Sequence, residues 1–129
     1  MDTMSVNAIA DRSTASIAIA RESTRGFLDG LPRPIGAGAA DSVVLVVSEL
    51  VTNALRHGGG TCTLDLHAHP DSIEVAVHDH SPEAPHVRTP DLTGATGGFG
   101  WPMVNRLARA TAVTRPAEGG KTVSALLPR

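Results

Sequence analysis

The sequence contains no tyrosine, two phenylalanines and one tryptophan in 129 residues. So few aromatic faces leave little on which unstacked bases could rest. Cationic excess is missing as well: the formal net charge is −2, whereas binding nucleic acid requires clustered lysine and arginine to neutralise phosphates. Direct contact with nucleic acid is therefore not expected. The lone cysteine, Cys62, excludes an internal disulfide and reads as a small apolar residue facing the core. The N-terminus has neither a charged start followed by an apolar run nor a stretch long enough to cross a bilayer. A cytoplasmic protein with no membrane partner is the expectation. Arginine supplies ten of the eleven cations and alanine is abundant, which reflects genome composition rather than function.

What is present fits one domain, residues 1–129, with a single core built from two layers. Residues 5–9 read as a short edge strand, and a helical pattern begins near Ser13, with Ile17, Ala20, Thr24, Phe27, Leu28 and Leu31 on one stripe. Gly30 and Pro32 end it, residues 31–40 form a turn-rich linker, and a second helix starts near Asp41 and stops at Gly58, Gly59 and Gly60. Cys62, Leu64, Leu66 and Ala68 then alternate with polar residues, as do Ile73, Val75 and Val77, and Pro70 and Asp71 mark a hairpin turn between the two strands. From Asp79 to Gly97 periodicity is lost. A third helix starts near Trp101 and Pro102, and strands at 111–115 and 121–127 flank a turn at Glu118, Gly119 and Gly120. This order lacks the regular strand and helix alternation of a Rossmann-type sheet. The expected fold is α+β, a two-layer α/β sandwich in which three helices pack on one face of a mixed or antiparallel sheet.

Within the second helix, Glu49, Asn53 and His57 are spaced i, i+4, i+8 in the apolar run VVLVVSELVTNALRH. On a helix they form one polar row. Such a row is either the solvated edge of an amphipathic helix or the wall of a site, because burying these groups unpaired costs about 1–3 kcal/mol each or more. Glutamate can accept a proton, and a carboxamide oxygen can ligate a hard cation. Asp79 shares the parity of Ile73, Val75 and Val77, so its carboxylate points toward the helices, where it either closes a local turn or accepts a hydrogen bond from an amine. Gly97, Gly98 and Gly100 precede the third helix, where freed N–H groups and the helix dipole suit a phosphate, unless the run is a plain turn. Gly119, Gly120, Lys121 and Thr122 either present the Thr122 hydroxyl at a strand start or form an ordinary hairpin, the simpler reading. Asp65, His67 and His69 share a strand face, and with His78 and His80 could gather imidazoles for zinc; no CxxC or HExxH spacing accompanies them, and a solvated outer face is the simpler reading.

Taken in order, VVSELVTNALRHG, VAVHDHSPEAP, GGFGWPMVNRLA and GGKTVSALLP resemble the N box, the two glycine boxes and the closing strands of the GHKL family of histidine-kinase-like ATP-binding domains. The likeness runs from the first helix to the C-terminus and is nearest to small bacterial anti-sigma-factor serine kinases. The resemblance implies ATP and Mg2+ as cofactors, with Asn53 as metal ligand and Glu49 as the general base toward a serine of a partner protein. It further implies that Asp79, helped by Thr122, accepts from the adenine amine, and that Gly98 and Gly100 lie under the phosphates beneath a lid at residues 84–97. The implied partners are an anti-anti-sigma protein of the STAS type, a sigma factor, or both, and a homodimer through the sheet or first helix is compatible with it.

This chain departs from the family pattern in its first glycine box. Ser81 and Glu83 stand where glycines are usual, which removes backbone freedom and adds a negative charge, and Arg88 is the only cation in the lid. A second function follows from those departures: a non-catalytic module that sequesters its partner, with nucleotide bound weakly or structurally.

Overall fold

A computed structural model describes residues 2–9, 14–57, 62–79, 100–115 and 119–129. In chain order the elements are β1 (Asp2–Ile9), α1 (Thr14–Asp29), α2 (Ala37–His57), β2 (Cys62–Ala68), β3 (Ser72–Asp79), α3 (Gly100–Leu107), β4 (Ala110–Thr114) and β5 (Lys121–Pro128). The glycines after α2, the altered glycine box with Ser81 and Glu83, the lid with Arg88, and Gly98 lie outside the described residues.

Two elements begin earlier than their sequence pattern suggests. Strand β1 starts at Asp2 because Asp2, Thr3 and Met4 find backbone partners opposite Ala68, His67 and Leu66 of β2. Pairing, not side-chain alternation, sets its length. Helix α2 starts at Ala37, one turn before Asp41, and Ala40 donates its N–H to the Gly36 carbonyl at 2.9 Å. Alanine is the strongest helix former, so the small residues of the linker continue the helix backward.

The five strands form one sheet in the order β1-β2-β3-β5-β4, with every neighbouring pair antiparallel. Of the two sheet types expected, the antiparallel one is realised. The β2–β3 hairpin closes as anticipated, His69 donating its N–H to the Ser72 carbonyl at 2.9 Å. At the other hairpin, Gly119 and Gly120 adopt φ of 100° and 77°, conformations that side chains with a Cβ resist.

Strand alternation divides the sheet into two faces. Leu64, Leu66, Ile73, Val75, Val77, Val123, Ala125 and Leu127 are buried on the helix side, against Val43, Val46, Val47, Leu50, Val51 and Ala54 of α2. Each such leucine or valine contributes about 1.5–3 kcal/mol through removal from water. Helix α2 is the central helix and touches β2, β3, β5, α1 and α3. Residues Ala37–Leu55 are long and apolar enough to cross a bilayer. That corrects the expectation of no such stretch; in this fold half of it is buried, with Val43, Val46, Val47, Leu50, Val51 and Ala54 packed in the core.

Candidate functional site

Two members of the polar row on α2, Glu49 and Asn53, lie at the edge of its buried face. Val47, Val51 and Ala54 are buried, whereas Glu49 and Asn53, one turn apart, are half-buried, and Leu45, one turn earlier, is 38% exposed. A half-buried carboxylate and carboxamide in series can still meet a ligand from solvent. Beside them, Arg21 of α1 donates through Nε at 3.2 Å and Nη2 at 3.0 Å to the buried Ser48 hydroxyl, which fixes α1 against this part of α2. His57 is the last residue of α2. Helix α3 begins at Gly100 and packs beside α2, with Val104 buried and Trp101 against the core.

The second group lies across the sheet, at one end of its three central strands. Cys62 of β2 stands opposite Asp79 of β3, and Asp79 stands opposite Lys121 of β5. All three face the helices and are buried. The inward direction inferred for Asp79 from parity is the one observed. Its donor is internal: the Lys121 ammonium lies 2.9 Å from Oδ2 and 3.1 Å from Oδ1. Burial, followed by the charge of Asp79, pushes the Cys62 thiol from its ordinary 9.0 up to about 11, so it stays protonated and unreactive.

Thr122 does not join Asp79. It points to the opposite face of the sheet, where its hydroxyl is 3.1 Å from His78 Nδ1. Strand alternation is the reason. Thr122 is out of phase with the buried Val123, Ala125 and Leu127, whereas Lys121 is in phase with them. The same alternation in the sequence KTVSALL is the signal that sets Lys121 inside.

On the outer face, His69 Nε2 lies 3.0 Å from Glu74 Oε1. Among the described residues no three His, Cys, Asp or Glu side chains converge to hold a metal, which removes support for a zinc patch built from them; His80 lies outside those residues. Magnesium has different requirements. It keeps several waters and takes one or two protein oxygens beside substrate phosphates. The accessible carboxamide of Asn53, with the carboxylate of Glu49 one turn away, is a donor set of that kind.

Residues 12–126 match the histidine kinase-like ATPase domain family, and the chain belongs to that family of ATP-binding domains. Among solved structures, the chain is similar to that of the RsbU and RsbW domains of Rv1364c from Mycobacterium tuberculosis, at a TM-score of 0.70 and 18% identity, over 100% of this chain and 33% of that one. It is also similar to the histidine kinase domain of the blue-light-activated histidine kinase EL346 from Erythrobacter litoralis, at a TM-score of 0.54 and 21% identity, over 88% of this chain and 59% of that one. At these identities the likeness is one of fold. No curated protein matches the sequence.

Proposed function

We propose that this chain is an ATP-binding regulator of the anti-sigma-factor type, which uses Mg-ATP to phosphorylate a serine of an anti-anti-sigma partner in the cytoplasm. The observation that carries the reading is the placement of Glu49 and Asn53 together, half-buried at the edge of the buried face of the central helix of a histidine kinase-like ATPase domain. The fold it shares with a structure containing an RsbW domain adds support. Asn53 would hold magnesium, which would supply neutralisation of the phosphate charge. Gly100, the first residue of α3, would admit the phosphates there, and Asp79 would serve the base end of the site.

Phosphoryl transfer asks mainly for positioning and charge stabilisation. Glu49 accepts the proton of the partner's serine hydroxyl as its Oγ forms a bond to the terminal phosphorus. The bond from that phosphorus to the oxygen of ADP breaks, and ADP leaves with the electron pair. Glu49 then returns the proton to solvent.

A second reading has its own observation. Ser81 and Glu83, in place of the glycines usual in the first glycine box, favour a chain that sequesters its partner with nucleotide bound weakly or structurally. Transfer by the wild type separates the two, and one variant tests the base. Glu49→Ala should retain nucleotide affinity and lose about 100-fold or more in transfer rate to a serine of the co-purifying partner, measured by phosphopeptide mass spectrometry. Transfer at the wild-type rate removes Glu49 as the base, and an absence of transfer by the wild type leaves the sequestering reading.

A further inference from the structure

Lys121 is the only lysine in a chain with ten arginines. It is 4% exposed and its partner Asp79 is 2% exposed. Lysine is among the residues least often buried, because an ammonium loses more on leaving water than a typical contact returns. Here that loss is offset by one ammonium lying 2.9 and 3.1 Å from the two oxygens of one carboxylate. The strand register makes the arrangement obligatory: Asp79 and Lys121 are directly opposite, on the same face, at the last residue of β3 and the first of β5.

A carboxylate that reads the exocyclic amine of a base must offer that amine a lone pair and gain from its N–H donor. Lone pairs remain on a carboxylate that one ammonium contacts through both oxygens, but its charge is already paired there, so an added neutral N–H gains less than it would at an unpaired carboxylate. We propose that Lys121 is the specificity-determining residue of the nucleotide site: its ammonium takes the place of the base amine at Asp79, so the chain does not select adenine by its amino group. This rests on the proposed role of Asp79 at the base end of an ATP site. It changes what that site recognises: affinity comes from the phosphates, the metal and the purine ring, and purine nucleotides with or without the exocyclic amine bind alike.

The test compares magnesium-bound ATP with purine riboside triphosphate, which carries hydrogen where adenine carries its amine, by calorimetric titration of the wild-type chain and of Lys121→Thr. For the wild type the two dissociation constants should agree within about twofold, and Lys121→Thr should prefer ATP by about tenfold, a gain of one hydrogen bond. A wild type that prefers ATP by about tenfold overturns the inference and leaves ATP binding intact. So does a folded Lys121→Thr chain that shows no preference. The wild-type comparison needs no substitution, so it decides even where Lys121→Thr does not fold. Failure of the wild type to bind either nucleotide overturns the ATP site itself, and the role of Lys121 with it.

Discussion

The cost of holding Lys121 away from water makes it the residue whose removal is easiest to read. Lys121→Met leaves the Asp79 carboxylate buried without its ammonium, and breaking a buried pair from one side costs about 3–5 kcal/mol. Urea denaturation should register that loss, and the joint change Asp79→Asn with Lys121→Met should recover most of it. A joint variant no more stable than Lys121→Met would show that the pair is not what burial penalises. Cys62 gives a pH signature from the same row. Its thiol is held at about 11 in the folded chain against an ordinary 9.0, so above pH 9 the unfolded chain binds fewer protons than the folded one. The thiol's contribution is therefore complete below pH 9 and is lost as pH rises through about 11. Iodoacetamide at neutral pH should label Cys62 only on unfolding, and rapid labelling of the native chain would contradict its burial. At this scale the sequence was informative where parity was applied. It predicted the inward carboxylate of Asp79, and the same rule applied to the last strand yields Lys121 inside and Thr122 outside. The role beside Asp79 that the family resemblance implies for Thr122 runs against the pleat, which turns its hydroxyl to His78 on the outer face.

Among the elements, those with strong internal periodicity were legible and those defined by their neighbours were not. The alternation of β2 and β3 and the long apolar run of α2 appear where the sequence placed them. The extra residues of β1 and the early start of α2 come from backbone pairing and from alanine-rich continuation, neither of which leaves a periodic trace. The core these elements share should be sensitive to volume. Leu66 is fully buried between β1 and β3, facing the helices, and Leu66→Ala should lower stability by about 2–5 kcal/mol. The expected readout is a lower urea midpoint with an unchanged slope. An unchanged midpoint would mean that Leu66 does not contribute to the central core.

For the whole molecule, strand order is the property least accessible to sequence, because β5 lies between β3 and β4 and its partners are fixed by contacts distant along the chain. That order brings Lys121 to Asp79 and sets the row they form under the helices. The fold and the family follow from the arrangement of α2, α3 and the antiparallel sheet together with the match over residues 12–126. The function proposed for it depends on a nucleotide and a metal meeting at Asn53. Calorimetric titration of the wild-type chain with ATP, with and without magnesium and beside Asn53→Ala, tests that claim directly. One saturable site is expected, its affinity rising with magnesium and that rise lost in Asn53→Ala. No binding by the wild type at millimolar nucleotide in the presence of magnesium would contradict it.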